Sequence, residues 1–383
     1  MHLTREEETI YKGESGATKQ KAMEILVALG DIYGADSLVP IESAQIAGVS
    51  YKTIGDAGLE WISDLDARVE VPSMLNPAGM DREKWKDMSI PAKFAEKQEE
   101  ILRAYERLGI ALECTCTPYY VSPPKFGAHL AWAESSAVAY ANSVLGARTN
   151  REGGPSALAA ALIGKTPRYG LHLDENRAPD VLIRVRGKLH DSDYGALGYI
   201  IGEMMRDHIP LFELSLLPTY DELKAFGAAM AASGAVALYH VKDVTPESKN
   251  FDRPRECISL GLDDIKEMYE KGDEPDIIAL GCPHCSPDEL KRIARLLSGK
   301  KVTTELWICI SRRIKEQNIR LVREIEKSGA KIICDTCMVV SPASERFERM
   351  MVNSGKALKY VPSLCDVDTI LATTKDCIKA ACD

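Results

Sequence analysis

PDIIALGCPHCSPDELKRIARLLSGKKVTTELWICISRRIKEQNIRLVREIEKSGAKIICDTC, residues Pro275–Cys337, alternates two kinds of pattern. Apolar runs of strand length (Pro275–Gly281, Lys301–Ser311 and Ala330–Asp335) are separated by amphipathic segments of helix length, Pro287–Gly299 and Arg312–Gly329. Such alternation predicts parallel strands with helices on the sheet faces. Asp180–Gly187 and Ala235–Val241 read as strands of the same kind. Thr4 and Glu7 have capping-box spacing, which predicts a helix start, and a second helix is predicted over Lys19–Tyr33. The fold class is therefore α/β with parallel-rich sheets. No solenoid-length repeat and no low-complexity linker marks a boundary. The change near Gly187–Asp191 places the expected division between 1–188 and 189–383.

A chain of 383 residues is long enough for two or three domains and a large core. No apolar run approaches the roughly 20 residues that span a bilayer. The charged start, MHLTREEETIYKGES, lacks the apolar centre of a signal peptide. A cytoplasmic location away from membranes is expected. The net charge is −9, and no Lys/Arg-rich stretch offsets it, so nucleic acid is not an expected partner. A small anionic substrate would rely on a few local cations or on helix N-termini.

Eleven cysteines are many for a reducing compartment, where disulfides are disfavoured and metal binding gains weight. Cys257, Cys309, Cys365, Cys377 and Cys382 stand alone and read as small buried hydrophobes. The other six form three groups. Three octets, GIALECTC (Gly109–Cys116), PDIIALGC (Pro275–Cys282) and AKIICDTC (Ala330–Cys337), each carry a strand-like run to a final cysteine. Residues able to leave a sheet follow each: Thr117-Pro118, Pro283-His284 and Ser341-Pro342. Open parallel sheets gather ligands outside the carboxyl ends of their strands, which makes Cys116, Cys282 and Cys337 the candidate ligands. Cys114 and Cys334 fall inside their runs and are expected to face a core, while the role of Cys285 stays open.

A zinc ribbon needs two C-x-x-C knuckles roughly 15–20 residues apart, whereas Cys285 and Cys334 are 49 positions apart. The CPHC sequence also reads as a thioredoxin-like redox pair, which leaves two strand-end cysteines unexplained. Three converging thiolates suit an iron–sulfur cluster with one iron lacking a cysteine ligand, a Lewis acid for a substrate hydroxyl. Spacing alone leaves a tertiary zinc site open, and with it a zinc or redox binding module that is not an enzyme.

HLAWAESSAVAYANSVLGARTNREGGPSALAAALIGKTPRYGLH, His129–His172, resembles the long signature of the aconitase X family. CTPYY (Cys116–Tyr120), GCPHCS (Gly281–Ser286) and DTC (Asp335–Cys337) match its cysteine motifs. IESAQIAGVSYKTIGDAGL (Ile41–Leu59) and SMLNPAGMD (Ser73–Asp81) match its N-terminal motifs. The resemblance covers nearly the whole chain. It implies an aconitase-like fold, with three α/β domains around an iron–sulfur cluster and a mobile fourth domain closing over it. The cluster implied is [4Fe-4S], with metal ligands Cys116, Cys282 and Cys337. Family members are dehydratases. One branch acts on cis-3-hydroxy-L-proline. The archaeal, two-subunit branch converts (R)-5-phosphomevalonate to trans-anhydromevalonate 5-phosphate in a mevalonate pathway, and this second activity is the one expected here.

The tail CDVDTILATTKDCIKAACD, Cys365–Asp383, reads as a short amphipathic helix. The swivelling domain, with the serine that serves as base, is therefore expected on a separate small subunit. By the same resemblance Gly48, Val49, Ser50, Asn76, Pro77 and Lys356 bind substrate. Physically, AGVS offers close backbone approach and a hydroxyl, NP makes a turn whose amide can point inward, and Lys356 supplies a cation at a loop end. Thr115, His284 and Thr336 are candidates for hydrogen bonding around the cluster sulfurs. Arg148 and Arg151 are further anion candidates, with Pro155 near a helix start; ion pairs to Glu134 or Glu152 are an equal reading. His129 and Glu134, at i,i+5, share no helix face and receive no catalytic role.

Overall fold

The segments expected to alternate do so in the computed structural model, which describes residues 1–269 and 274–382. Five parallel strands build the C-terminal sheet: β11 (Ile277–Leu280), β12 (Glu305–Ile310), β13 (Lys331–Cys334), β14 (Arg349–Val352) and β15 (Asp368–Leu371). Their order is β13-β12-β11-β14-β15. The chain thus runs outward from β11 to β13, then returns to the other side of β11. The switch point falls between β11 and β14. Ile277 and Ala279 pack into one core and Ile278 and Leu280 into another. Burial of both faces explains why this strand is apolar throughout instead of alternating.

Two more parallel sheets precede it. β7 (Val181–Arg186), β8 (Pro210–Glu213), β9 (His240–Val241) and β10 (Glu256–Gly261) pair in the order β10-β7-β8-β9. β2 (Ala44–Ile46), β3 (Ser73–Leu75), β4 (Ala111–Cys114) and β5 (Ala131–Trp132) pair as β4-β3-β2-β5, with a switch point between β2 and β5. A two-stranded antiparallel ribbon, β1 (Leu38–Pro40) with β6 (Lys165–Pro167), completes the set. One apolar core joins the three parallel sheets, since Trp132, Ile183 and Ala279 belong to it together. Among the described residues no helix is long and apolar enough to cross a membrane.

Helix starts agree with the caps written in the sequence. The Thr4–Glu7 box starts the helix Arg5–Tyr11, and a second box, Ser286–Glu289, starts Pro287–Leu297. Three expectations need correction. The strand expected over Ala235–Val241 shrinks to His240–Val241, because Ala235 is the left-handed cap of the preceding helix (φ 61°) and Val236, Leu238 and Tyr239 are apolar for core burial. The single helix expected over Arg312–Gly329 breaks at Asn318, whose Nδ2 donates to the Ile314 carbonyl at 2.9 Å. The tail is a strand, β15, followed by the helix Thr374–Cys382. For the domain division, β7 pairs with β8 and β10, both beyond residue 189. We therefore propose the break before β7 instead.

The first and last sheets are welded by a buried charge cluster. Arg312, just past β12, binds Asp335 through Nε at 3.0 Å and Asp81 through Nη2 at 3.1 Å. Asp81 and Asp335 are buried, and Asp81 also accepts the Cys334 N–H at 2.8 Å. The Asp335 carbonyl accepts the Ala78 N–H at 2.7 Å, which ties the loop after β3 to the loop after β13. Removing one partner of a buried ionic group strands the others. Arg312→Met is expected to lower stability by about 3–5 kcal/mol, read as a reduced urea midpoint at unchanged slope.

Candidate functional site

The carboxyl ends of two parallel sheets supply every candidate residue. After β2 come Gly48, Val49 and Ser50; after β3, Asn76 and Pro77; after β4, Cys116; after β5, Glu134. From the C-terminal sheet come Cys282 after β11, Cys337 after β13, and Lys356 after β14. Cys282 and Lys356 thus flank the β11–β14 switch point, the crevice where open sheets hold ligands. Each candidate cysteine lies two or three residues beyond its strand. Cys114 packs into the N-terminal core, and Cys285 and Cys334 pack into the C-terminal one. Gly281 allows the Cys282 loop to turn close over β12. Its φ is +95°, and a Cβ there would sit 2.2 Å from the Cys309 carbonyl oxygen.

The three thiols are buried, at 4, 5 and 6 % exposure for Cys116, Cys282 and Cys337. They lie near enough to feel one another electrostatically. Burial pushes all three up, Cys116 to about 12, and the Lys356 ammonium pulls each of them back down. The sulfurs are served by backbone donors. The His284 N–H reaches Cys116 Sγ at 3.1 Å, and the N–H groups of Val339 and Val340 serve Cys337. Thr336 Oγ1 is buried beside Cys337 without a hydrogen-bond partner.

These features suit an iron–sulfur cluster. It needs thiolates from separate loops, N–H donors to sulfur, and a polar lining that its own sulfides can satisfy. Binding would release the protons that burial now favours on the thiols. Among the described residues, no group of three or more His, Cys, Asp or Glu side chains is placed to hold a single metal ion. A cluster brings its own iron and sulfide and so can bridge thiols that come from separate loops.

Lys356 is not the solvated cation that one lysine usually is. It is 5 % exposed, in the first turn of the helix Gly355–Cys365, and its ammonium donates to Glu134 and, at 3.2 Å, to Ser136 Oγ. Burial alone would pull its pKa down; the Glu134 carboxylate beside it more than reverses this, so the ammonium stays charged. Glu134 is subject to the opposing pair of effects, burial upward and Lys356 downward, and its carboxyl ends below the ordinary value. The other Glu134 oxygen accepts Asn76 Nδ2 at 3.0 Å, leaving Asn76 Oδ1 buried and unpartnered. Asn76, Glu134 and Lys356 thus form one chain that ends at the thiols.

The loop after β2 approaches from the other side. Gly48 has φ +76°, the left-handed region that suits glycine. Its carbonyl accepts the Tyr105 hydroxyl at 3.4 Å, the Val49 carbonyl accepts Gln98 Nε2 at 2.9 Å, and Ser50 Oγ donates to the Val340 carbonyl at 3.0 Å. The last contact joins this loop to the one carrying Cys337. Among the described residues, the backbone N–H groups of Gly48, Val49 and Ser50 donate to no protein acceptor. They lead into the helix Tyr51–Ser63, as anion-binding N–H groups do.

Arg148, Arg151 and His129 meet partners other than Glu134 and Glu152. Arg148 pairs with Asp174 and lies 3.7 Å from Glu247. Arg151 has its Nη2 3.5 Å from the Tyr360 hydroxyl. His129 meets His172 at 2.9 Å and not Glu134. The residue that sequence reasoning missed is Glu134 as the partner of Lys356. The strand-end rule that picked out the cysteines would have found it, but β5 is two residues long and gives no periodicity to read.

Comparison with known proteins finds relatives over the full length of the chain. Family models described as the first, second and third domains of aconitase X match residues 1–175, 179–270 and 275–383. The chain is 59% identical over 386 residues to the phosphomevalonate dehydratase large subunit of Methanosarcina mazei, covering 100% of this chain and 97% of the relative. The corresponding subunit of Methanocaldococcus jannaschii is 51% identical, with 99% and 100% covered. A cis-3-hydroxy-L-proline dehydratase of Pseudomonas aeruginosa is 34% identical, with 98% of this chain but 69% of the relative covered. Among solved structures, the holo-form of Thermococcus kodakaraensis aconitase X superposes with a TM-score of 0.93 at 48% identity, covering 100% of both chains.

Proposed function

The chain belongs to the aconitase X family, and on that premise we propose that it is the large subunit of a hydro-lyase. The reaction removes water from (R)-5-phosphomevalonate to give trans-anhydromevalonate 5-phosphate. Full-length identity of 59% and 51% to proteins named phosphomevalonate dehydratase large subunit carries the reading.

The chemistry asked of the site is hard. A C2 proton beside a carboxylate is barely acidic, and hydroxide is a poor leaving group. Cys116, Cys282 and Cys337 would hold an iron–sulfur cluster, of [4Fe-4S] type in our reading, whose iron without a cysteine ligand supplies a Lewis acid for the C3 hydroxyl. The rest falls to the chain's own groups. The charged, buried Lys356 binds one anionic end of the substrate, and Glu134 holds it in place. The free N–H groups of Gly48, Val49 and Ser50 suit the other anionic end. Asn76 offers an unused acceptor, and Pro77 fixes the turn that presents it. Packing of the loops after β2, β3 and β4 around buried thiols excludes water, which strengthens each of these charges.

No group in this site suggests itself as the base for the C2 proton, since Glu134 is bound to Lys356, Asn76 and Ser136. The relatives' names specify a large subunit, and a small subunit is the corresponding partner. In our reading the partner carries a swivelling domain, closes the mouth above the three cysteine loops and contributes a serine base. An anaerobic assay tests the proposal. The two-chain complex is expected to dehydrate (R)-5-phosphomevalonate and to leave cis-3-hydroxy-L-proline unchanged, while the large chain alone turns over neither. Faster elimination from the hydroxyproline would reassign the substrate, and full activity of the large chain alone would place the base within it.

A further inference from the structure

His284 lies two residues past Cys282, is fully buried, and uses every polar group it has. Its N–H donates to Cys116 Sγ at 3.1 Å, and its carbonyl accepts the buried Lys224 ammonium at 3.2 Å. In the ring, Nδ1 lies 3.1 Å from Thr115 Oγ1 and Nε2 lies 3.0 Å from the Thr336 carbonyl. A carbonyl can only accept, so Nε2 carries the hydrogen and Nδ1 accepts from the Thr115 hydroxyl. That hydroxyl oxygen accepts the Thr117 N–H in turn, at 3.1 Å.

Thr115 immediately precedes Cys116, and Thr336 immediately precedes Cys337. One rigid ring attached to the Cys282 loop therefore grips the other two cysteine loops, one on each side. These loops arrive from two different sheets, and strand pairing does not fix the distance between them. We propose that His284 is a positioning residue that sets the spacing of the three thiols, so that they meet a preassembled cluster instead of being gathered by it. The inference rests on the reading that Cys116, Cys282 and Cys337 hold an iron–sulfur cluster.

The test uses the two-chain complex, reconstituted anaerobically, with His284→Ala, His284→Gln and Thr115→Val beside wild type. Iron and acid-labile sulfide per chain are measured, together with the rate at which a chelator strips the iron. His284→Ala is expected to lose iron about 10–100-fold faster, the range for removing groups that orient metal ligands. His284→Gln, whose amide both donates and accepts, should fall between it and wild type. Thr115→Val keeps the shape of the side chain and removes one grip, so it should move the same way by less, with a small fall in the urea midpoint because the buried Thr117 N–H and His284 Nδ1 lose a partner. His172→Ala, a buried histidine outside these loops, should strip at the wild-type rate. Wild-type stripping rates in His284→Ala overturn the proposal. If that variant does not fold, wild-type rates in both His284→Gln and Thr115→Val overturn it equally. A wild-type complex without iron and sulfide would instead overturn the cluster reading on which the proposal stands.

Discussion

Replacing Cys116, Cys282 or Cys337 by alanine is expected to abolish both the brown colour of anaerobically purified protein and its dehydratase activity. Each of these thiols lies in a separate loop, and all three are buried within electrostatic reach of Lys356. With one gone, the remaining pair cannot fill the cysteine positions of a cluster that already has one iron without a thiolate. Iron and acid-labile sulfide should therefore fall together, toward background. Cys257, exposed on β10, and Cys382, at the end of the last helix, should tolerate alanine with iron content unchanged. Cys114, Cys285 and Cys334 pack into cores, so their alanine variants should lose some stability but keep iron. Stoichiometric zinc without sulfide in the wild type would sink the cluster. Loss of iron from a Cys285 or Cys334 variant would show that the strand-end rule had chosen the wrong thiols.

That rule is also the best measure of what could be read in the sequence. In β11, β12 and β13 the apolar run, the turn residues and the next helix follow one another closely enough that local pattern and tertiary fold agree. The N-terminal sheet offers no such pattern. Its strands β2, β3 and β5 are two or three residues long, and much of their pairing energy lies in burial, as Ala44, Ile46, Leu75 and Trp132 show. Their residues were recognisable through the family signature and not through periodicity. Apolar content misled at Val236–Tyr239, where core burial without pairing imitates a strand. The Arg312–Asp81–Asp335 cluster and the four bonds of His284 each join groups from different sheets, and no one-dimensional spacing encodes such a meeting.

Lys356→Ala is expected to do more damage than the loss of one substrate contact. If Lys356 met only the substrate, its removal would weaken binding by about 1.5–3 kcal/mol, the range for hydrogen bonds to charged groups. In the structure it is also the counter-ion of Glu134, whose side chain is only 12 % exposed. Deleting it leaves a carboxylate in a dry site, which costs about 3–5 kcal/mol of folding stability. The two effects separate in a double variant. Lys356→Met with Glu134→Gln removes both charges, keeps an acceptor for Asn76 Nδ2, and should recover most of the stability. Substrate affinity should stay low, because the ammonium is still missing. The ion pair also sets a pH dependence whose sign is fixed. Lys356 holds the Glu134 carboxyl below its ordinary 4.5, against the upward push of burial. A depressed folded-state pKa contributes stability that is fully present above the unfolded value and is lost as pH falls through the folded one. Acid unfolding of the wild type below about pH 4.5 should therefore be steeper than that of the double variant. A Lys356→Ala protein of normal stability but raised KM would make the lysine a substrate group alone. Lowered stability with unchanged KM would make it a strut for Glu134, and the anion would then have to be held by the N–H groups of Gly48, Val49 and Ser50.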